Sequence, residues 1–331
     1  MKNEILRLKN TIAVKNAENV RKLANVSEEE IWLADFDSAR SRETYQKAVQ
    51  QFMVFLGAEK PEELRSVTST HVIAFKRSLS ERGMKPRTIN NRMSAISSLF
   101  SHLTDKQIVK HNPAKGLRRL KVNQQRVESK VMSPDQMRAL LDAPLIYNDK
   151  RKKGQHPLSD LQALRDRAVL HVFAYTGCRI SELCTLKVEE YFSEANFKVM
   201  DFTLKGGKRH RVAVSHLLQG PLDEYIQLSG HRDKSESPLF LPIRKDENRE
   251  ENKPLTKQAI DRIWDKYTRH VGIEGTSPHS ARTTFVTVGL EHGAKIEEMQ
   301  RTVGHSQIKT TQMYDRRSFK YEESASFKVW Y

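Results

Sequence analysis

Six side chains in the second half of the chain have the chemical types that phosphoryl transfer requires. In chain order they are Arg179, Lys205, His279, Arg282, His305 and Tyr314. An arginine binds phosphate oxygens through two parallel hydrogen bonds, so two arginines would neutralise the charge that develops on those oxygens. A tyrosine, whose pKa is about 10, needs nearby cations and a base that accepts its proton before it attacks phosphorus. The leaving oxygen needs an acid, which a lysine on a turn can supply.

Each of these residues also has an ordinary structural explanation. An arginine after a glycine often caps a helix, and His279 and Arg282, three residues apart, share a helix face whatever they do. Residues 205–208 place two glycines between two lysines, which is typical of a hairpin turn. Tyr314 lies in a late helical segment, where a tyrosine usually belongs to the core. The prediction of chemistry therefore depends on the combination.

The chain is strongly basic, which predicts a polyanionic partner. Its 331 residues include 57 Lys and Arg against 41 Asp and Glu, a net charge of +16 with a pI near 9.7. Residues 1–130 hold 25 basic and 14 acidic side chains, so this part carries most of the excess. DNA or RNA is the favoured partner, and the alternatives are a ribosomal protein, a membrane-surface binder or a well-solvated basic protein.

The two cysteines indicate a reducing, cytoplasmic location. Cys178 and Cys184 are six residues apart in what is predicted to be one helix, so they would point to different faces and stay unpaired. No His or Cys pair has the spacing of metal ligands, so no structural metal is expected. No apolar stretch has the length of a signal peptide or a membrane span, so no membrane partner is expected either.

Four segments are predicted along the chain. Residues 1–30 form an N-terminal extension, 31–117 a helical domain, 118–131 a polar and basic linker, and 132–331 a second domain with a C-terminal tail. Helix starts are predicted at Thr68, before Ser69–Thr70, and at Ser133, before Pro134. Asn112–Pro113 is predicted to end the last helix of the first domain. The expected fold class is mainly α with a small antiparallel β-sheet.

The second domain combines helices with one short sheet. An apolar helix pair is predicted over residues 166–186, interrupted at Thr176–Gly177. Alternating residues in 197–204 and 211–214, on either side of the glycine-rich turn, predict a hairpin or small sheet. Helices are predicted again from Pro221 and from Thr256, the latter continuing to about Lys320.

The sequence resembles the tyrosine recombinases, the phage-integrase family of site-specific DNA recombinases. The order Arg, Lys, His-x-x-Arg, His, Tyr is that of the family, as is the nine-residue step from His305 to Tyr314. Residues 41–113 resemble the family's core-binding domain, with the helix sequence T-I-N-x-R-M-S-A-I and a closing Asn-Pro. The resemblance implies a two-domain DNA clamp, in which a helical core-binding domain precedes the tyrosine-recombinase catalytic domain.

Three of the implied roles concern the phosphate and the leaving group. Arg179 and Arg282 would clamp the scissile phosphate, and Glu182, one helical turn after Arg179, would support that arginine. Lys205 matches the lysine that protonates the 5′ oxygen, with Lys208 as its rival.

The remaining roles concern the nucleophile. His279 would act in proton transfer with the tyrosine, and His305 would hydrogen-bond a phosphate oxygen. Tyr314 would form a 3′-phosphotyrosyl bond, which retains the energy of the phosphodiester, so the resemblance implies neither ATP nor a metal cofactor. Ala281 replaces a common Leu beside the arginine, and Val303 replaces the Leu of the family's Leu-Gly-His; neither change removes a functional group.

The resemblance also implies the partners. These are double-stranded DNA with an inverted-repeat core site, a homo-tetramer assembled on two such sites, and possible accessory DNA-bending proteins. The DNA contacts are predicted from basic residues of the first domain, the linker and the glycine-rich turn: Arg87, Arg92, Arg118, Arg119, Lys121 and Lys208. Arg87 and Arg92, with Thr88, Asn90 and Asn91, would face phosphates or bases from one helix, and a solvated helix face is an equal alternative. The apolar tail end, 327–331, is predicted to dock on the protein surface. Because family members exchange C-terminal segments, the resemblance favours docking on a neighbouring protomer, and docking in cis is the alternative.

Two other enzyme or binding classes share these features. A type IB topoisomerase-like enzyme uses the same chemistry without exchanging partners, and a DNA-binding protein that has lost catalysis would share only the fold. Within the recombinases, integration, excision or resolution of a mobile element is favoured because residues 1–30 exceed what a minimal chromosome-resolution enzyme needs. Resolution of chromosome or plasmid dimers is the alternative.

Overall fold

A computed structural model describes residues 26–122, 129–147, 160–204, 206–243 and 253–315. The chain divides into two compact units, Met1–Asn123 and Gln124–Tyr331, so the boundary falls within residues 118–131. None of the helices within the described ranges combines the length and apolar composition that a membrane span requires.

The first unit is helical. Its helices are α1 (Glu28–Ala34), α2 (Ala39–Leu56), α3 (Ser69–Glu81) and α4 (Pro86–Asp105), with a 3₁₀ segment at Pro61–Ser66. Helix α3 begins after Thr68, as the sequence predicts, and Pro86 occupies the first position of α4, where its missing N–H is not needed. The apolar stripes of α2, α3 and α4 meet in one core, whose fully buried members include Phe52, Phe75 and Phe100.

The end of α4 differs from the prediction, because the helix stops at Asp105, seven residues before Asn112. Gln107 adopts a positive φ of 60°, which ends the helical path. The Asn112 amide donates to the carbonyl of Ser97 at 2.8 Å, and its oxygen accepts from the backbone of Ala114 at 2.8 Å. Asn112 therefore links the segment that follows α4 to that helix through hydrogen bonds, and it does not cap the helix.

Residues 117–120 lie against the first unit. The Asn90 side chain both donates to the carbonyl of Leu120 at 2.9 Å and accepts from its N–H at 3.0 Å. Leu117 and Leu120 pack against the core, and the Arg119 guanidinium donates to the backbone carbonyl of Asn90. Asn90 thus holds this segment in place, and the stretch predicted as linker from residue 118 overlaps the first unit.

The second unit surrounds a larger core with helices. The helices are α5 (Pro134–Ile146), α6 (Asp160–Thr176), α7 (Ile180–Thr185), α8 (His216–Ser229), α9 (Lys257–His270), α10 (Pro278–Glu291), α11 (Ile296–Val303) and α12 (Ile308–Gln312). Ser133 and Thr256 cap α5 and α9 through their hydroxyls, as their positions predict. The core includes Phe173, Phe202, Tyr225, Trp264 and Tyr267.

One antiparallel sheet completes this unit, in the order β1 (Tyr191–Glu194), β2 (Phe197–Thr203) and β3 (Arg209–Ala213). Met200 lies opposite Tyr191 on one side and Val212 on the other, so buried side chains face the helical core. The predicted hairpin around the glycine-rich turn is present, and β1 was not predicted. The fold class, mainly α with a small antiparallel sheet, is confirmed.

Two predictions for this unit are wrong in detail. Helix α8 begins at His216 behind the cap Ser215, and Pro221 lies inside it, because the preceding turn already supplies the helix start. Cys178 and Cys184 do not share a helix: Cys178 lies in the break between α6 and α7, where Gly177 has a φ of 60°, and Cys184 lies in α7. Both thiols are free.

Candidate active site

Five of the six predicted catalytic residues converge in the second unit. Arg179 starts α7, His279 and Arg282 lie in the first turns of α10, His305 follows α11, and Tyr314 follows α12. The sixth, Lys205, lies outside the described residues, while its neighbours Leu204 and Gly206 are described.

Arg282 connects the two turns that carry Arg179 and His305. Its side chain is 0% exposed; Nη1 donates to the carbonyl of Gly177 at 2.6 Å and Nη2 donates to the carbonyl of Val303 at 2.7 Å. Nε is buried with no partner among the described residues. The guanidinium is therefore fixed by backbone oxygens on two sides, while its Nε–H group has no partner among the described residues.

Arg179 is held by the carboxylate predicted to support it. The backbone N–H of Arg179 donates to one oxygen of Glu182 at 2.7 Å, and its Nη1 donates to the other at 2.6 Å. Gly177 shapes the turn before it, since a Cβ there would lie 2.7 Å from the ring of Phe285. The glycine thus permits both the positive φ and the close approach of α10.

Tyr314 lies between the two histidines. Its Oη is 3.0 Å from Nε2 of His279, and its ring stacks on that of His305, with centroids 5.2 Å apart and planes at 28°. The Thr287 hydroxyl donates to the carbonyl of Tyr314 at 2.9 Å, which ties the segment after α12 to α10. The tyrosine is buried in this arrangement.

His305 follows a turn that also contacts the sheet. Gly304, at a φ of 66°, faces Leu204 and His210, and a Cβ there would lie 3.1 Å and 3.3 Å from them. His210 Nε2 is 2.9 Å from the carbonyl of Thr302, near the end of α11. These contacts place Leu204 and His210, the described residues on either side of the β2–β3 turn, beside Gly304. Lys208 is exposed on the same turn.

The cluster lowers the pKa of both histidines. For His279 the causes are burial, followed by the charges of Arg282 and Arg179. For His305, burial, the two arginines and His279 together lower the pKa to about 3. Both imidazoles are therefore neutral at pH 7, and a neutral imidazole can accept the proton of a phenol.

Unfolding measurements between pH 7 and pH 4 test this electrostatic environment. Histidines of the unfolded chain bind protons near a pKa of 6.5, whereas folded His305 does so only near its pKa of about 3. Since the unfolded state then binds more protons, the free energy of unfolding falls below pH 6.5, by up to about 1.4 kcal/mol per pH unit for this group. We expect His305→Gln to make that pH dependence less steep than in wild type. Equal slopes of the free energy of unfolding against pH in wild type and His305→Gln would contradict a buried, neutral His305.

Five of the six predicted DNA-binding residues lie in the first unit, and the sixth, Lys208, is exposed in the second unit. Arg87, Arg118, Arg119 and Lys121 are exposed, whereas Arg92 is half-buried with its Nε 2.5 Å from the Gln51 side chain. The ammonium of Lys76 binds the carbonyl of Arg118. Arg92 therefore has a hydrogen-bond partner within the first unit.

Three residues of the site were not singled out from the sequence: Thr287, His210 and Thr311. Thr311 Oγ1 lies 3.0 Å from Nδ1 of His305. The hydrogen-bond partner of each of these side chains lies outside its own helix or strand. Helical or strand spacing in the sequence therefore does not predict these contacts. In the described ranges, no group of three or more His, Cys, Asp or Glu is placed to hold a metal ion.

Comparison with known proteins places the chain in a family. Residues 130–320 match the model of the phage integrase family, and residues 29–110 match that of the phage integrase N-terminal SAM-like domain. The tyrosine recombinase XerC of Roseiflexus castenholzii is 29% identical over 282 residues, which cover 84% of this chain and 83% of that protein. A tyrosine recombinase of Pseudothermotoga lettingae is 30% identical over 271 residues, covering 80% of this chain and 83% of that one.

Solved structures share the fold. A lambda integrase dimer bound to a COC′ core site has a TM-score of 0.66 at 14% identity, covering 89% of this chain and 78% of that one. A lambda integrase tetramer bound to a Holliday junction has a TM-score of 0.65 at 14% identity, covering 88% and 77%. The match to the family model spans more than half of the chain. The chain therefore belongs to the phage integrase family and is a tyrosine recombinase, a DNA-binding enzyme of site-specific recombination.

Proposed function

We propose that this recombinase cuts and rejoins duplex DNA through a 3′-phosphotyrosyl intermediate at Tyr314. The observation that carries the proposal is the 3.0 Å separation of Tyr314 Oη and His279 Nε2 beside two arginines. The phenol gives its proton to His279 as its oxygen attacks phosphorus, and the bond from phosphorus to the 5′ oxygen breaks. Arg179 and Arg282 stabilise the charge on the non-bridging oxygens.

The leaving group and the reverse step complete the reaction. Lys205, or its rival Lys208, protonates the departing 5′ oxygen, and His305 donates a hydrogen bond to a phosphate oxygen. Rejoining reverses the sequence: a 5′ hydroxyl attacks the phosphotyrosine, and Tyr314 takes back its proton. Because one phosphodiester replaces another through an ester of similar energy, the reaction needs no ATP and no metal.

A duplex nicked near the cleavage position tests the assignment. After cleavage the short 5′-hydroxyl fragment diffuses away, so the covalent complex accumulates and is seen as a slowly migrating band on a denaturing gel. We expect an adduct on this substrate and strand exchange between two intact sites. An adduct with supercoil relaxation but no exchange would favour the topoisomerase-like alternative, and no adduct would favour a DNA-binding protein without catalysis.

We propose that the first unit, including the basic residues near its end at 118–121, grips the DNA backbone. The triple variant Arg118→Glu, Arg119→Glu, Lys121→Glu is expected to bind a core site more weakly. The slope of log K against log salt concentration should become shallower by about 0.9 for each lost phosphate contact. Arg138→Glu is the control, because Arg138 is exposed in the other unit and paired with Asp135. An unchanged slope in the triple variant would contradict this placement.

We also propose that protomers assemble as a tetramer through the C-terminal tail, residues 316–331, which lies outside the described residues. Phe327, Trp330 and Tyr331 make its end apolar. An apolar recess of about 310 Å³, lined by Met137, Phe285 and other side chains of α5, α6 and α10, offers an acceptor surface.

Deleting residues 321–331 tests the assembly. We expect binding of one protomer to a single half-site to be retained, as measured by gel shift, and strand exchange between two full sites to be lost. The physical reason is that the deletion removes the apolar contact between protomers while leaving the described site intact. Full exchange activity after the deletion would contradict the trans docking of the tail.

We propose two candidate biological roles for this recombinase. Integration, excision or resolution of a mobile element is the first candidate, with inverted-repeat core sites and an accessory DNA-bending protein as partners. The relatives named XerC favour the second candidate, resolution of chromosome or plasmid dimers. Recombination between two sites on one plasmid, compared with recombination between two plasmids, with and without a DNA-bending protein, separates the two roles.

A further inference from the structure

The hydroxyl of Thr311 lies against the imidazole of His305 in the interior of the site. Thr311 Oγ1 and His305 Nδ1 are 3.0 Å apart, and the Thr311 side chain is 0% exposed. Within the described part of the chain this is the hydroxyl's one hydrogen bond. The other ring nitrogen, Nε2, is buried and has no partner among the described residues. The ring is therefore fixed at one nitrogen and available at the other.

The direction of this hydrogen bond decides what the available nitrogen can do. A neutral imidazole carries one proton, either on Nδ1 or on Nε2, and His305 is neutral at pH 7 because its pKa is lowered to about 3. If Nδ1 carried the proton, Nε2 would present a lone pair, which repels the oxygens of a phosphate. If the hydroxyl donates to Nδ1, Nε2 carries the proton and can donate it to such an oxygen.

We propose that Thr311 is a positioning residue whose hydroxyl donates to Nδ1 of His305 and keeps the imidazole in the tautomer with its proton on Nε2. That N–H then binds a non-bridging oxygen of the scissile phosphate. The inference rests on the proposed function, because it takes His305 as a ligand of the phosphate.

The position of Thr311 links this tautomer to the nucleophile. Thr311 lies in α12, and the backbone N–H of Tyr314 donates to the Thr311 carbonyl at 2.9 Å. The ring of Tyr314 in turn stacks on that of His305. One short helix therefore sets the orientation of the attacking group and the protonation pattern of a phosphate ligand.

Nitrogen NMR of the full chain, with histidines labelled with ¹⁵N, reads the tautomer directly. At pH 7 the resonances of His305, assigned by their loss in His305→Gln, are expected to show a protonated Nε2 and an unprotonated Nδ1. Thr311→Val should shift them toward a mixture of tautomers, and Thr311→Ser should keep the wild-type pattern. A proton on Nδ1 in the wild-type protein would overturn the proposal.

Single-turnover cleavage of the nicked duplex gives a second readout. Thr311→Val is expected to slow cleavage by about ten-fold, a typical effect of removing a partner that orients a ligand. Thr311→Ser should stay within about two-fold of wild type, and the Val change should have little further effect in a His305→Ala background. Equal losses in both backgrounds would show a general structural role and overturn the proposal.

The two readouts also separate this inference from the proposed function. If wild type forms no covalent adduct, the proposed function fails, and the NMR pattern still decides the hydrogen-bond direction. If wild type forms the adduct while Thr311→Val cleaves at the wild-type rate, only the role of Thr311 fails. Should Thr311→Val not fold, the wild-type resonances and the Thr311→Ser rate decide the question.

Discussion

Replacing Tyr314 with phenylalanine is expected to abolish the covalent protein–DNA adduct and to reduce strand cleavage by at least about 10⁴-fold. The substitution removes one oxygen atom, the one that we propose attacks phosphorus. No other group can take its place without a new route for proton transfer, because His279 is positioned against this phenol. Single-turnover reactions on the nicked duplex measure the loss.

DNA binding and folding of Tyr314→Phe should change little. The ring keeps its stacking on His305, and the lost hydrogen bond is worth about 0.5–1.5 kcal/mol. Tyr175→Phe is the matched control, since Tyr175 is half-buried in the same unit and lies outside the cluster; it should cleave at the wild-type rate. Adduct formation by Tyr314→Phe at more than a trace level would refute the proposed nucleophile.

Replacing Arg282 with lysine is expected to lower both cleavage and stability, although the positive charge is kept. A lysine ammonium cannot span the carbonyls of Gly177 and Val303, which the guanidinium bonds from two separate nitrogens. One buried carbonyl then loses its partner, which lowers the free energy of unfolding by about 1–3 kcal/mol. Cleavage should fall by about 10³-fold, as when a charge-stabilising donor is removed from an active site.

Denaturant unfolding and single-turnover cleavage measure the two effects of Arg282→Lys. Arg138→Lys provides the control, because that arginine is exposed on the same unit and pairs only with Asp135 in the described structure. It should leave both quantities unchanged. If Arg282→Lys cleaves within ten-fold of the wild-type rate, the guanidinium of Arg282 is not needed for cleavage. That result would contradict the role proposed for Arg282.

Much of the secondary structure could be predicted because its signals are local. Ser133 followed by Pro134 predicts the start of α5, and Thr256 predicts that of α9, since each cap interacts only with the next few residues. The glycine-rich turn predicts the β2–β3 hairpin for the same reason. The prediction failed at α8, because the sequence places a helix start at Pro221, whereas the helix begins at His216 behind the cap Ser215 and Pro221 lies inside it.

The arrangement of the site depends on contacts between residues that are far apart in sequence. The six reactive types and their order were sufficient to predict a phosphoryl transfer. The carbonyls that hold Arg282 belong to the turns at Gly177 and Val303, and backbone groups carry no sequence signal. The hydrogen bonds between Asn90 and Leu120 could not be predicted either, because nothing in the helix of Asn90 indicates that the chain returns to it.

Peptide mapping of the trapped adduct identifies the residue that attacks the DNA. Wild-type protein is reacted with the nicked duplex, digested with nuclease and protease, and analysed by tandem mass spectrometry. We expect a nucleotide attached through its 3′ phosphate to the phenolic oxygen of Tyr314. A nucleotide on any other residue, Tyr321 included, or an attachment through a 5′ phosphate would contradict this expectation.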